Sequence, residues 1–360
     1  RIDYSNGCGS LLLEKQSTNL ITYSEDFSNA AWTKTNVTIS ANSTTSPDGT
    51  TNADKIVADS GSSIKLAYQV LSSTNGVAHS AFAFYKADEY SYAFLRIGGQ
   101  SPSPYVIYDL TSQSIVSTAN ATSTSIENYG NGWYKVSMTY TTNSTTNAPN
   151  VSFLPTSGYT LDSLNQPVYN GDGVSGGYIY GAQLEQSSYP TSYIISNSGT
   201  TTTRIQDSSS TTGLSSVINS TEGVLFVEMA ALSGDGTNKI LSLTDGNGIN
   251  NGRVAIYYNT SGDVIGQLYD GTNVVNLSYT PSDTTVFLKI AFKYKSGDYA
   301  FWINGVEVAT STFAYTILPN TLSVLDFDDG TSSNDFYGNV QNLQIYKTAL
   351  TDTELATLTT

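Results

Sequence analysis

One cysteine, one histidine and two methionines in 360 residues leave little material for several kinds of chemistry. A disulfide framework needs paired thiols, and a zinc centre of the usual kind needs several Cys or His ligands. Both are excluded, as is any His-dependent triad that does not rest on His79. Charge is scarce as well: Asp, Glu, Lys and Arg make up 12% of the chain, where about a quarter is usual. No window reaches the roughly 18 apolar residues of a membrane-spanning helix, so membrane insertion is not expected. The opening Arg1-Ile2-Asp3-Tyr4 does not read as a secretory leader.

Ser, Thr, Asn and 30 Gly fill the space that charge leaves. A charge-poor, hydroxyl-rich surface points to an extracellular or virion location. Subtracting 30 acidic from 15 basic residues leaves −15. That field repels a phosphate backbone and makes nucleic acid an unsuitable partner. The length fits two domains, and with 39% hydrophobic residues each has material for its own core.

Period-2 alternation runs through the chain, and helical periodicity is strong only at the C-terminus. The expected fold class is therefore all-β, two antiparallel β-sandwich or jelly-roll domains in tandem with a short C-terminal helix. Leu288 to Lys295 puts apolar residues on one face and Lys on the other, and Ser296-Gly297-Asp298 turns the chain into Tyr299 to Ile303. Asn304-Gly305 then supplies the positive φ angles of a type I′ turn, so Val306-Glu307-Val308 folds back as a third strand. Trp133 to Tyr140 reads as a half-buried strand with Tyr134, Val136, Met138 and Tyr140 on one face; Ala81 to Lys86, Tyr92 to Ile97, Tyr105 to Leu110 and Tyr178 to Leu184 read likewise. Residues 196–216, almost all Ser, Thr, Gly and Asn, cannot bury a core and read as a linker. Near the end, Thr351-Asp352-Thr353-Glu354 is a capping box for a helix that buries Leu355 and Leu358.

Enzymatic chemistry finds little support. Glycan hydrolysis needs two carboxylates about 5 to 9 Å apart, and the best local pair, Asp326 and Asp328, reads as a strand end entering a solvated turn. Glu25-Asp26 and Asp88-Glu89 are adjacent and diverge on a strand. His79 has no acid near it in sequence, and Cys8, between two glycines, reads as an unpaired thiol. No catalytic residue is assigned.

Calcium is the metal that suits the oxygen ligands this chain has in surplus, as a structural ion stiffening loops. The candidate ligands are Asp172, Asp235, Asn238, Asp328 and Asp335, each in a Gly- or Asp-rich turn and none at EF-hand spacing. The plainer reading of each Asp-Gly is a β-turn. The chain also holds 26 Tyr, 12 Phe and 3 Trp. Rings stack on the apolar faces of sugars while hydroxyls bond at the edge, so a weakly charged Tyr-rich surface suits carbohydrate. Tyr134, Tyr140, Tyr294 and Tyr299 fall on core-facing positions, and Trp133 and Trp302 on strands. Trp32, Tyr90, Tyr92, Tyr257 and Tyr269 are the candidates for ligand contact.

Three stretches of the first half resemble the carbohydrate-binding-like jelly roll of bacteriophage tail-fibre and related virion proteins: Ser10 to Glu14, Asn19 to Phe27 leading to Trp32, and Tyr180 to Glu185 continued by Tyr189 to Ile194. With Gly132-Trp133-Tyr134 the likeness covers about residues 10 to 204. The second half resembles a concanavalin-A-like, laminin-G-type lectin domain of the same phage proteins, from Glu222 to Glu228 through Trp302 to Val308, then Phe336-Tyr337-Gly338 and Ile345 to Asp352. The chain is thus read as an N-terminal extension or strand over 1–16, a jelly roll over 17–195, the linker, and a lectin domain over 217–360. The resemblance also implies a host-contacting fibre end, frequently a homotrimer. The Glu-x-Asp-x-(x)-Glu signature of catalytic concanavalin-A-like glucanases is absent, since Glu228 is followed by Met229 and Ala230.

The function these readings favour is a non-enzymatic adhesin on a phage fibre or spike that binds host cell-surface glycan. Two alternatives stay open: a structural fibre module that makes subunit contacts, and an accessory glycan-binding portion of a secreted polysaccharide-degrading enzyme.

Overall fold

The computed structural model describes residues 1–3, 7–248 and 251–360; Tyr4 of the opening lies outside them. The chain forms two compact units, Gln16–Ile205 and a second made of Arg1–Lys15 with Gln206–Thr360. Both are antiparallel β-sandwiches, as the alternation predicts.

In the unit Gln16–Ile205 a six-stranded sheet has Ala78–Ala87 between Trp133–Thr141 and Gly176–Glu185. Facing it is a sheet centred on Tyr92–Gly98 and Thr146–Leu154, with Leu66–Tyr68 and Thr33–Thr35 beyond. Inward residues of both, among them Ala83, Tyr85, Leu95, Val136, Met138 and Phe153, form the core. A small sheet of Gly61–Ile64, Pro167–Gly171 and Tyr159–Leu161 adds a satellite core around Phe94, Ile107 and Tyr169.

In the other unit a seven-stranded sheet sets Glu222–Ala231 between Leu288–Lys295 and Gly338–Tyr346. The meander expected after Leu288 forms as read, with Asn304 and Gly305 at φ 47 and 82° in the turn. The second sheet runs Ser210–Thr211, Val324–Asp326, Lys239–Thr244, Arg253–Tyr258, Val264–Tyr269, Val274–Tyr279. Val254, Ile256, Val264 and Leu268 of this sheet meet Leu225, Val227, Phe292 and Phe301 of the first in one core. The helix Asp352–Thr359 is capped by Thr351 and Glu354 as predicted and buries Leu355.

One boundary differs from the sequence reading. The stretch 196–216 is not a free linker: Thr202–Arg204 pairs with Ser17–Asn19, and Ser210–Thr211 pairs with Val324–Asp326. Side-chain composition cannot show this, because the bonds that hold both segments belong to the backbone. The N-terminal segment forms strands. Ser10–Leu13 bonds the strand Gly338–Tyr346 and carries Ile2–Asp3 beside it.

Candidate functional site

At one rim of the second sandwich three loops follow the strand ends at Ala231, Tyr258 and Tyr279 and enclose a cavity of about 420 Å³. Asp and Asn caps shape each loop, an outcome their short side chains favour because they bond backbone two residues on. Asp235 Oδ1 accepts from Thr237 N and Oγ1 at 3.2 and 2.7 Å. Asn259 Oδ1 accepts from Ser261 N and Asp263 N, both at 2.9 Å, around Gly262 with φ 87°. Asp283 Oδ1 accepts from Thr285 N and Oγ1 at 2.8 and 2.7 Å. Buried Ala231 and Tyr258 form part of the lining, with Ser, Thr and Asn around them.

Glycines keep the cavity open. A side chain at Gly234 would meet Thr284 Oγ1 at 3.8 Å, and one at Gly262 would meet Thr284 Cγ2 at 3.4 Å. Thr260, Ser282 and Thr284 line this space, and no bond to a described residue claims their hydroxyls. Lys239 is buried in the wall and paired with Asp235 at 2.6 Å, so its charge is already compensated.

The carboxylates around the rim are all held in their ionised form. Hydrogen bonds from Thr285 lower the pKa of Asp283, and bonds from Thr280 and Asn259 lower that of Asp263. Burial pushes Asp235 up, but the bonds from Lys239 and Thr237 outweigh it and its pKa is lowered. A glycosidase needs one carboxyl raised to act as the acid, and this rim supplies none. Its chemistry is that of neutral hydroxyl and amide hydrogen bonding.

The residues singled out in the sequence fall in different places. Tyr257 and Tyr269 stand on the outer face of the six-stranded sheet, half-buried, in adjacent strands with Arg253 directly opposite Tyr269. Arg253 there donates to Gln267 Oε1 and to Asp329 O, and Gln267 donates to Asn276 Oδ1 at 2.9 Å, so the polar groups of this face are bonded mainly to one another. Tyr90 and Tyr92 are half-buried against Tyr169 and Tyr159, edge-on at 5.8 and 6.2 Å between centroids. Trp32 is a correction. It is 1% exposed, its ring lies 4.7 Å from that of Phe27, and its Nε1 donates to Tyr23 O at 2.7 Å, so it is a core residue with no face for a sugar.

The candidate metal ligands are each held by bonds to protein groups. Asp172, in the first unit, takes Val174 N, Ser175 N and Ser175 Oγ in a turn, and those bonds hold its pKa down at about 2. Asn238 bonds Asn334, Asp328 caps Gly330, and Asp335 takes bonds from Tyr337 and Gln206. Among the described residues no group of three or more His, Cys, Asp or Glu could hold a metal ion. Of the acid pair considered for hydrolysis, Asp326 is buried and accepts from Thr244 Oγ1 at 3.0 Å, and Asp328 lies past the strand end.

Sequence reasoning singled out Asp235 and Asn238 beside the rim for calcium but missed the cavity, whose three loops meet only in the fold. It also passed over Gly173-Val174-Ser175-Gly176-Gly177, which spells a nucleophile-elbow pattern. The structure makes it an Asp172-capped turn that leads into a strand, without the strand-to-helix turn an elbow requires.

Residues 224–356 match the family model described as the concanavalin A-like lectin/glucanases superfamily. That match lies within the C-terminal sandwich. No curated protein matches the chain. Among solved structures, the CBM40 of the Ruminococcus gnavus IT-sialidase bound to α2,3 sialyllactose is 22% identical over 39% of this chain and 83% of that one, with a TM-score of 0.34. A heptameric SAP-like pentraxin from Limulus polyphemus is 15% identical over 40% and 72%, with a TM-score of 0.34. A leech intramolecular trans-sialidase is 21% identical over 39% of this chain and 23% of its own length, with a TM-score of 0.33.

Proposed function

We propose that this chain binds glycan without cleaving it, and that the rim cavity of the lectin-like sandwich receives the sugar. The observation that carries this reading is the lining: unclaimed hydroxyls of Thr260, Ser282 and Thr284 around a cavity whose carboxylates are tied into their own loops. A pyranose offers hydroxyls to such donors and acceptors. The match of residues 224–356 to the concanavalin A-like lectin/glucanases superfamily supports glycan binding. The finer proposal is an adhesin on a virion fibre, supported by the resemblance of both halves to tail-fibre modules. A shallow neutral site binds weakly, on the order of 1 mM, and repeated copies on one particle raise avidity by roughly a hundredfold or more.

The test is a glycan array with the native chain and with Gly234→Phe, which fills the cavity from a position with ordinary backbone angles. Binding by the native chain and its loss in the variant, with unchanged circular dichroism, supports the proposal. Binding unaffected by the substitution removes the site from the rim. Release of reducing ends from a bound polysaccharide overturns the non-catalytic reading.

A further inference from the structure

The unit Gln16–Ile205 buries a cation without giving it an anion. Arg96, on the strand Tyr92–Gly98, is 4% exposed. Its Nε donates to Leu164 O at 2.9 Å, its Nη2 to Ser103 Oγ at 3.0 Å, and its Nη1 to Asn150 Oδ1. All three partners are neutral. Asp162, the carboxylate whose charge reaches it, spends Oδ1 on the amides of Leu164 and Gln166, at 2.9 and 2.8 Å. Removing a guanidinium from water without an opposite charge is costly, and burial lowers its pKa to about 10, with Asp162 pulling against that shift.

The same guanidinium lines a pocket of about 280 Å³. Three of its five N–H groups are taken, which leaves two unclaimed. Gly98, two residues on and on the same face of the strand, has no side chain, and a methyl there would lie 2.9 Å from Nη1. Around this opening are half-buried Tyr68 and Gln166, and exposed Leu164. The pocket therefore pairs a preorganised cation with a mostly apolar wall. An inorganic anion would use the cation but not the wall. A carboxylated sugar uses both.

We propose that the pocket over Arg96 recognises a carboxylate, and that its ligand is an acidic pyranose of a uronic-acid-bearing glycan, its ring between Tyr68 and Leu164. The site is distinct from the rim cavity of the other unit and adds a charge requirement that the rim lacks. The chain's net charge of −15 repels acidic glycans at long range. Salt at physiological strength screens that field beyond about 8 Å, while the buried guanidinium acts at contact.

The test uses the four arginines of the chain, whose Nε–H signals are few enough to follow by NMR on protein labelled with ¹⁵N-arginine. Loss of one signal in Arg96→Gln assigns it. Methyl glucuronide should shift the Arg96 signal saturably, and methyl glucoside should leave it in place. Gly98→Ala, whose methyl crowds Nη1 at 2.9 Å and closes its approach, should weaken methyl glucuronide binding at least about tenfold, the scale of a lost charge-assisted hydrogen bond. It keeps the test open if Arg96→Gln does not fold, the assignment then coming from triple-resonance spectra. Gly234→Phe should change nothing, which separates this site from the rim. No shift with glucuronide, an equal shift with glucoside, or acetate binding as tightly as glucuronide would each overturn the proposal, the last by reducing the pocket to a site for small free carboxylates.

Discussion

Leu11 pairs with Val340, so a strand from the first fifteen residues completes a sheet of the unit formed by residues 206–360. Leu13 of the same strand is 3% exposed and packs in that unit's core. Leu13→Ala should cost about 2–4 kcal/mol, the usual range for a core leucine. Hydrogen-exchange mass spectrometry should find the loss of protection in Glu222–Ala231 and Gly338–Tyr346 but not in Ala78–Ala87. Equal loss in both units would refute the assignment of this strand.

His79 gives the chain a pH dependence that can be isolated, because it is the single histidine. It is 1% exposed, stacked on Tyr140 at 5.9 Å, with Nδ1 3.1 Å from Val77 O. Burial lowers its pKa below the usual 6.5, and the carbonyl contact only partly opposes this. The unfolded chain therefore takes up the proton first as pH falls. The stability from neutral His79 is complete above about pH 6.5 and is lost as pH drops toward the lower folded value. Denaturation midpoints between pH 5 and 7.5 should show this slope, and His79→Phe should remove it.

Gly266 sets how closely the two sheets of the C-terminal sandwich approach. A methyl there would lie 2.7 Å from Phe292 Cδ2 and 2.9 Å from Phe301 Cδ2. Gly266→Ala should destabilise by about 1–3 kcal/mol through overpacking. Gly234→Ala, with nothing nearer than 3.8 Å, should stay within about 0.5 kcal/mol. Urea unfolding of the two variants side by side distinguishes them, and equal effects would mean that ring contact at Gly266 does not limit the sheet spacing.

All three tryptophans are at most 8% exposed. Their emission should be blue-shifted, weakly quenched by acrylamide, and unaltered by saturating sugar, since no indole face is open for stacking. A sugar-dependent change in emission would show that a tryptophan region rearranges on binding.

Much of this architecture was legible locally. The alternation of Leu288 to Lys295, the Asn304-Gly305 turn and the Thr351/Glu354 box all act within a few residues, and each formed where it was read. Backbone geometry dictates such features: side chains on a strand alternate, only certain residues accept positive φ, and a cap reaches its own helix end. Tertiary packing decided the rest. Trp32 follows a short polar turn that gives no sign of burial, yet Phe27 and the Tyr23 carbonyl enclose it. The partner of Leu11 lies more than three hundred residues away, and the rim cavity exists because loops after three different strands converge. Arg96 is one alternating position among many on its strand, and its uncompensated charge follows from which neutral groups the fold brings around it. Pattern along a chain reports its periodicity; it does not report which distant surfaces exclude water together, and burial, pairing and pocket shape depend on that.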